Sequence, residues 1–176
     1  MADIEALANG TFMEIRKIKQ TDDFNAIGDI YAHSWKTAYK GIVPQDYLDE
    51  LHGSRWADFL ANNHDNAFIV TDAGKYIGTS SVCAARDEKM AGWGEIISLY
   101  LLPQYWGKDY AQPLLNCSVN ALAAMGFKDI YLWVLNENNR AKRFYEKHGF
   151  GHNGDVETIA ISGKSLKGIK YTKHLQ

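Results

Sequence analysis

The stretch EIISLYLLPQYWGKDYA, residues 95–111, decides the fold of this chain. Its first half, Glu95 to Leu102, is almost continuously apolar, which is typical of a central strand covered on both faces. After a loop, a helix is predicted from about residue 110 to Met125, because Pro113 is tolerated only in a first turn, where its missing N–H would have no partner. The sequence therefore predicts a buried strand, a loop and a helix in direct succession.

Outward from this junction, the apolar patterns predict a single mixed α/β domain over residues 13–174. Alternation predicts a half-buried strand from Met13, and residues 22–64 form a helical block. Asp72–Lys75 is a predicted hairpin turn, since its glycine accepts positive φ. The other predicted elements are strands at 67–71, 76–84, 129–135, 155–162 and 165–174 and a helix from Asn138 to His148. This order predicts one mixed sheet with helices on both faces.

Length and composition bound the class of protein. With 176 residues, 46% hydrophobic and 23% charged, the chain is long enough to bury the core of one globular domain. Its net charge of -2 excludes the broad basic surface of a general nucleic-acid binder. No apolar stretch has the length of a membrane span, and Cys83 and Cys117 have no second thiol or histidine at zinc-ligand spacing. We expect a cytoplasmic protein with reduced thiols, no metal, no nucleic-acid partner and no membrane partner, with residues 1–12 as a flexible leader.

The loop at residues 106–111 is a candidate phosphate site. A loop that leaves a buried strand and opens a helix presents unpaired N–H groups at the positive end of the helix dipole. Gly107 and Ala111 allow close approach by a pyrophosphate, and Lys108 adds positive charge. The loop matches neither a P-loop nor a dinucleotide fingerprint. An ordinary connection capped by Asp109 therefore explains this segment equally well.

A second motif, near the end of the chain, favours the phosphate site over an ordinary connection. Its members at fixed spacing are Asn138, Ala141, Tyr145, Gly149 and Phe150. Together with the loop, they resemble the GNAT superfamily of acetyl-CoA-dependent N-acetyltransferases, whose later motif reads N-x-x-A-x-x-x-Y-x-x-x-G-F. The superfamily's pyrophosphate loop reads Q/R-x-x-G-x-G/A, and here Asp109 stands in place of a glycine. The resemblance spans about residues 13–174 and implies the GNAT fold, with a mixed, mostly antiparallel central sheet.

The resemblance implies that acetyl-CoA is the co-substrate and that a primary amine attacks it directly in a ternary complex. Tyr145 would protonate the departing sulfur, the amide of Leu99 would donate to the oxyanion, and the pantetheine arm would pair with backbone around Leu99 and Leu101. Glu95 lies at the offset of the catalytic glutamate of the histone-acetyltransferase branch and is the candidate base, directly or through water. The implied cofactor-binding residues are Leu99, Leu101, Trp106, Gly107, Lys108, Asp109, Tyr110, Ala111 and Asn138. The candidates for the acceptor pocket are His33, Trp35, Tyr39 and Tyr47.

Several of these residues also have a structural interpretation. Tyr145 could be plain core packing, Asn138 a helix cap, and Glu95 a strand-end carboxylate with a structural partner. His33 could be structural, and the aromatic residues of the helical block could belong to its core.

Asp109 leaves a second function open, because a carboxylate at a helix start adds negative charge where a pyrophosphate brings its own. The alternative is a non-catalytic acyl-CoA-binding regulatory module with a degenerate pyrophosphate loop. For an enzyme, the acceptor could be a small-molecule amine, such as a polyamine, amino acid or antibiotic, or a protein N-terminus. The resemblance is also compatible with a homodimer.

Overall fold

The computed structural model describes residues 3–6 and 12–175. The strands are β1 (Asp3–Ala6), β2 (Phe12–Lys17), β3 (Ala67–Asp72), β4 (Lys75–Ala84), β5 (Gly94–Leu101), β6 (Asp129–Leu135), β7 (Gly151–Ile161) and β8 (Lys164–His174). The helices are α1 (Phe24–Ala38), α2 (Gln45–Asp49), α3 (Ser54–Asn62), α4 (Ala111–Ala124) and α5 (Asn139–Lys147). Short 3-10 turns lie at Glu88–Met90 and Pro103–Tyr105.

The strands of the described residues join one sheet in the order β1-β2-β3-β4-β5-β6-β8-β7. All neighbouring strands are antiparallel except β5 and β6, which are parallel. The turn between β3 and β4 is a two-residue hairpin, in which Ala73 and Gly74 both have positive φ. The mixed, mostly antiparallel sheet implied by the sequence is confirmed.

Helices cover both faces of the sheet, because alternate strand residues point to opposite sides. Phe68 and Val70 of β3 share a core with α4 and α5, whereas Ala67 and Ile69 share a core with α1 and α3. Leu48 of α2 packs in a third core, against α1 and β8. None of the five described helices combines the length and the apolar character of a membrane-spanning segment.

Two strands differ from the prediction. Asp3–Ala6 pairs antiparallel with β2, although the sequence shows no alternation there and predicts a leader. An edge strand is held by backbone hydrogen bonds to one neighbour, and these do not depend on apolar alternation. β7 begins at Gly151 rather than at residue 155, because it continues across an irregularity in its pairing with β8. The division into leader and domain stays a prediction, and residues 1, 2 and 7–11 lie outside the described residues.

The two central strands, β5 and β6, run together only at their start. Their pairing is limited to residues 94–95 of β5 and 130–131 of β6. Beyond that point the ladder between β4 and β5 skips Ile97, which forms a bulge in β5. Because a bulge bends its strand, β5 leaves β6 and a cleft opens between the carboxyl ends of the two strands.

Candidate active site

The cleft between β5 and β6 holds a cavity of about 400 Å³. Residues 96–101 of β5 and 132–134 of β6 form its walls within the sheet. Residues 105–109, the start of α4, α5 and the end of α1 complete its lining. The fold therefore brings the loop and the second sequence motif to one site.

The loop at 106–111 opens α4 without a side-chain cap. Gly107 has a φ of 72°, which an L-residue rarely adopts, so the loop needs its glycine. Tyr110 is the N-cap residue of α4, and no side chain accepts a hydrogen bond from the first turn. Asp109 is exposed and does not cap the helix, so the alternative of a connection capped by Asp109 is not what the structure has. The first N–H groups of α4 are left for a ligand or water.

The start of α5 is capped by Asn138, as one reading of the sequence expected. Its side-chain oxygen accepts from the backbone N–H of Ala141 at 3.1 Å. Asn138 also lines the cavity, so the cap and a ligand contact do not exclude one another. The cap fixes the direction of α5, which in turn carries Tyr145 into the cavity wall.

The free edge of β5 presents backbone polar groups to the cleft. The N–H of Leu102 donates to a β4 carbonyl, so the alternate residues Leu99 and Leu101 direct their groups away from β4. The carbonyl of Leu101 already accepts from Ser34 Oγ at 2.8 Å and from Trp106 Nε1 at 2.7 Å. Leu99 therefore offers both its N–H and its carbonyl to the cleft, whereas the Leu101 carbonyl is occupied.

Three of the phenols that line the cavity interact with one another. Tyr39 hydrogen-bonds Tyr100, and Tyr100 lies near enough to Tyr145 to disfavour its ionisation. Burial raises the pKa of Tyr39 to about 12 and also raises the pKa values of Tyr100 and Tyr145 above the usual 10. Trp35 Nε1 donates to the Tyr100 hydroxyl at 3.0 Å. Within the described part of the chain the hydroxyl of Tyr145 has no hydrogen-bond partner, so it remains a protonated donor for a ligand.

Glu95 is not among the residues that line the cavity. Its side chain is buried, and its carboxylate accepts from Arg86 Nε at 3.0 Å, Arg86 Nη2 at 2.6 Å and the Tyr131 hydroxyl at 2.8 Å. Burial raises the pKa of Glu95, but these donors outweigh burial and leave that pKa below its usual value. A carboxylate in this state is a weak proton acceptor. Its position fits the structural alternative and argues against the predicted role as base.

Three of the four residues expected in the acceptor pocket pack against one core, but one of the four lines the cavity. Tyr39 lines the cavity. Trp35 lies behind the cavity wall, edge to face with Tyr39 and hydrogen-bonded to Tyr100. Tyr47 is further out, with its ring 6.5 Å from that of Trp35. His33 is exposed, and its Nδ1 contacts a backbone carbonyl of its own helix at 2.7 Å.

Among the cavity residues that sequence patterns did not mark as functional are Tyr100, Trp133 and Arg140. Tyr100 and Trp133 lie in the apolar runs that predicted β5 and β6, where an aromatic residue reads as core. Arg140 lies inside the second motif, immediately before Ala141. Its position in that motif was the available signal, but the sequence does not show that the side chain turns towards the loop.

Comparison with known proteins decides the family. The sequence pattern of the acetyltransferase (GNAT) family matches residues 25–150, which include the loop, both central strands and α5. The chain belongs to the GNAT family. This GNAT chain is similar to the uncharacterized N-acetyltransferase YuaI of Bacillus subtilis, with 28% identity over 151 residues that cover 85% of this chain and 83% of the relative.

Two further similarities agree with this assignment. The GNAT chain is 24% identical to the spermidine N(1)-acetyltransferase of Thermoplasma acidophilum over 143 residues, which cover 78% of this chain and 88% of the relative. It shares its fold with the PaiA N-acetyltransferase of the same organism, solved in complex with coenzyme A, at a TM-score of 0.72 and 23% identity over 92% of this chain and 98% of the other. The implied N-acetyltransferase class is thereby confirmed.

Proposed function

We propose that this GNAT enzyme transfers the acetyl group of acetyl-CoA to a primary amine by direct attack within a ternary complex. The observation that carries the proposal is that three kinds of functional group face one cavity. An uncapped helix start, a strand edge without a neighbour and the unpartnered hydroxyl of Tyr145 all face it. These are the three groups that an acyl-CoA thioester requires for phosphate binding, carbonyl polarisation and protonation of its leaving sulfur.

The cofactor is expected to lie along the cleft. Its pyrophosphate would accept hydrogen bonds from the N–H groups of residues 107–111, at the positive end of α4. Its pantetheine arm would follow the free edge of β5 and pair with the backbone of Leu99 in the manner of an added strand. Leu101 contributes less than the sequence implied, because its carbonyl is held by Ser34 and Trp106.

The chemistry then needs three events at the thioester. The amine nitrogen attacks the carbonyl carbon, and the N–H of Leu99 donates to the oxygen as that oxygen becomes an oxyanion. The C–S bond breaks as the tetrahedral intermediate collapses, and Tyr145 gives its proton to the departing thiolate. The nitrogen loses its extra proton, which restores Tyr145 through the solvent. The products are the N-acetyl amine and coenzyme A with a free thiol.

The cavity supplies no carboxylate close to Tyr145 that could deprotonate the amine. Among the described residues that line the cavity, Asp109 is the one acidic residue, and it lies in the phosphate loop. Glu95 is tied to Arg86 and Tyr131, so we assign it no role as base. With no carboxylate assigned as base, we expect the acceptor to react as the small fraction of amine that is already neutral, and the pH dependence of turnover tests this.

We propose a polyamine as the first acceptor class to test. Two relatives, from Thermoplasma acidophilum and Vibrio cholerae, are named spermidine N(1)-acetyltransferases. The rings of Tyr39, Tyr100 and Trp133 line the cavity, and aromatic faces suit an aliphatic stem that carries cationic groups. An amino acid, an antibiotic or a protein N-terminus remains an acceptor to include in the same screen.

The test is a screen of amines with acetyl-CoA that records the release of free thiol. We expect amine-dependent thiol release with at least one acceptor class, and mass spectrometry should find one added acetyl group on that amine. Binding of acetyl-CoA without turnover for any amine would instead support the non-catalytic acyl-CoA-binding module. Light scattering on the same preparation tests the predicted homodimer.

A further inference from the structure

A guanidinium lies stacked on an indole at the mouth of the phosphate loop. The guanidinium carbon of Arg140, at the start of α5, is 3.5 Å from the centroid of the Trp106 ring. The indole cannot turn freely, because its Nε1 donates to the carbonyl of Leu101 at 2.7 Å. Both residues line the cavity. The loop thus holds a platform that fixes the plane and the position of a cation from another element.

Arg140 has no acidic partner among the described residues. Two other arginines in that part of the chain form ion pairs, Arg16 with Asp22 and Arg86 with Glu95. Arg140 makes neither an ion pair nor a hydrogen bond with any described side chain or carbonyl, and its recorded contact is with the Trp106 ring. Stacking leaves the five N–H donors of a guanidinium free at its rim. Partial burial, which lowers the pKa of Arg140, makes an anionic partner more favourable still.

We propose that Arg140 binds a phosphate of acetyl-CoA and that Trp106 holds it in the orientation for doing so. This inference rests on the proposed function, because it assumes that acetyl-CoA occupies the cleft. It adds a binding residue from α5 to a loop whose own cation, Lys108, lies over the ring of Tyr105 with its Nζ 5.4 Å from the centroid. Under this proposal, α5 and the loop both contribute groups that bind the nucleotide half of the cofactor.

A phosphate fits the geometry better than a carboxylate of the acceptor. Arg140 lines the same cavity as the first turn of α4, whose N–H groups lack a side-chain cap, so one cavity holds two kinds of donor suited to phosphate. A planar guanidinium binds phosphate oxygens through two parallel hydrogen bonds.

The test compares Arg140→Gln with Arg143→Gln, a matched control on the same helix. Arg143 is exposed and does not line the cavity. Calorimetry is run with coenzyme A and with 3′-dephospho-coenzyme A on the wild-type enzyme and both variants. Hydrogen bonds to charged groups predict that Arg140→Gln weakens coenzyme A binding about ten- to a hundredfold, while Arg143→Gln stays within about twofold.

The two ligands identify which phosphate is bound. A similar loss for both ligands assigns the pyrophosphate, and a loss confined to coenzyme A assigns the 3′-phosphate. Turnover with S-acetylpantetheine, an acetyl donor without a phosphate, separates phosphate binding from a structural role. A purely structural role of Arg140 would lower turnover with this donor as well. If Arg140 acts on phosphate, turnover with this donor is unchanged in Arg140→Gln.

Three results would overturn the proposal in distinguishable ways. If the wild-type enzyme binds coenzyme A and Arg140→Gln binds it equally well, the role of Arg140 is wrong and the proposed function stands. If the wild-type enzyme does not bind coenzyme A, the proposed function fails and this inference fails with it. Equal loss of turnover with S-acetylpantetheine would show that Arg140 acts on the fold instead.

Discussion

The two ends of β5 bury polar groups in opposite ways. At the end where β5 pairs with β6, Glu95 is buried and each of its carboxylate oxygens accepts from Arg86 or Tyr131. At the end where β5 leaves β6, the backbone of Leu99 and the hydroxyl of Tyr145 face a cavity and have no hydrogen-bond partner among the described residues. Buried polar groups cost free energy unless they are hydrogen-bonded. The matched end therefore stabilises the fold, and the unmatched end is where a ligand completes the hydrogen bonds.

The matched end extends beyond β5. Lys170 of β8 is buried, and its Nζ lies 3.2 Å from an oxygen of Asp87 and 3.1 Å from an oxygen of Asp155. The same Nζ stands 5.6 Å from the centroid of the Tyr131 ring, which links it to the Glu95 cluster. These contacts join the loop after β4, the central strand β6 and the β7–β8 hairpin. Every charge in this cluster has a counter-charge, so nothing in it calls for a ligand.

Tyr145→Phe tests the unmatched end with the largest expected effect. The substitution removes one oxygen that makes no hydrogen bond with any residue the structure describes, so the fold should be kept. Loss of a general acid lowers kcat by about 100- to 10,000-fold. Steady-state thiol release at saturating amine measures kcat, and calorimetry should find acetyl-CoA affinity within a few-fold of wild type. Full turnover in Tyr145→Phe would show that the leaving thiolate takes its proton from elsewhere.

The pH dependence of the reaction tests whether the cavity holds a base. A primary amine with a pKa near 10 is about one part in a thousand neutral at pH 7. Without a base, kcat/KM for the amine should rise about tenfold for each pH unit between 6 and 8. Burial raises the pKa of Tyr145, so the acid stays protonated over this range and does not limit the rise.

A plateau near pH 7 would contradict this prediction. His148 is then the residue to examine, because it lines the cavity and its Nδ1 is engaged by the carbonyl of Phe144 at 2.7 Å. That contact leaves Nε2 as the nitrogen able to accept a proton. His148→Gln would abolish the plateau if His148 were the base, whereas Glu95→Gln would abolish it if the original sequence interpretation were right.

Most of the fold could be read from the sequence, because apolar periodicity and turn residues are local signals. The strand, loop and helix over 95–125 and the Asp72–Lys75 hairpin follow from such signals. The pairing of Asp3–Ala6 does not, since it depends on the backbone of a neighbour. For the same reason no sequence pattern shows that β5 and β6 separate after two residue pairs.

The site was only partly readable. The motif residues Tyr145 and Asn138 both line the cavity, because their spacing of seven positions puts them on one face of α5, and their roles stay predictions. The motif cannot show which polar groups already have a hydrogen-bond partner in the fold. Glu95 has such partners, whereas Arg140 has none among the described residues. Glu95 is satisfied by an arginine nine positions earlier, in a loop whose course the sequence does not give. Arg140 is oriented by an indole from another element.

Glu95→Gln tests the matched end. We expect turnover within a few-fold of wild type and a loss of about 2 kcal/mol in the free energy of unfolding. The loss stays below that of a fully buried ion pair because the Arg86 side chain is 62% exposed. Urea unfolding at pH 7 measures the loss, and Glu88→Gln, an exposed position in the same region, is the control.

The effect of Glu95→Gln on stability should depend on pH. The pKa of Glu95 is lowered in the folded state, so its contribution to stability is present above the ordinary value of 4.5 and is lost as the pH falls through the folded-state pKa. The stability difference between wild type and Glu95→Gln should therefore shrink below pH 4.5. A hundredfold loss of kcat with unchanged stability would instead restore Glu95 as a catalytic base.

Asp109→Gly has the smallest expected effect and separates two consequences of one charge. Asp109 is exposed beside the first turn of α4, and it caps no N–H group. Removing the carboxylate takes away repulsion of a pyrophosphate and also a favourable interaction with the helix dipole, each of about 0.3–1 kcal/mol. Coenzyme A should bind about two- to fivefold more tightly while the unliganded protein becomes slightly less stable.

Asp109→Asn should reproduce both changes without the added freedom of glycine, and both should fade at about 1 M salt, since surface charges are then screened. Equal or weaker binding in the two variants would show that Asp109 does not face the phosphates, and the opposite signs of affinity and stability are what identify the charge itself as the cause.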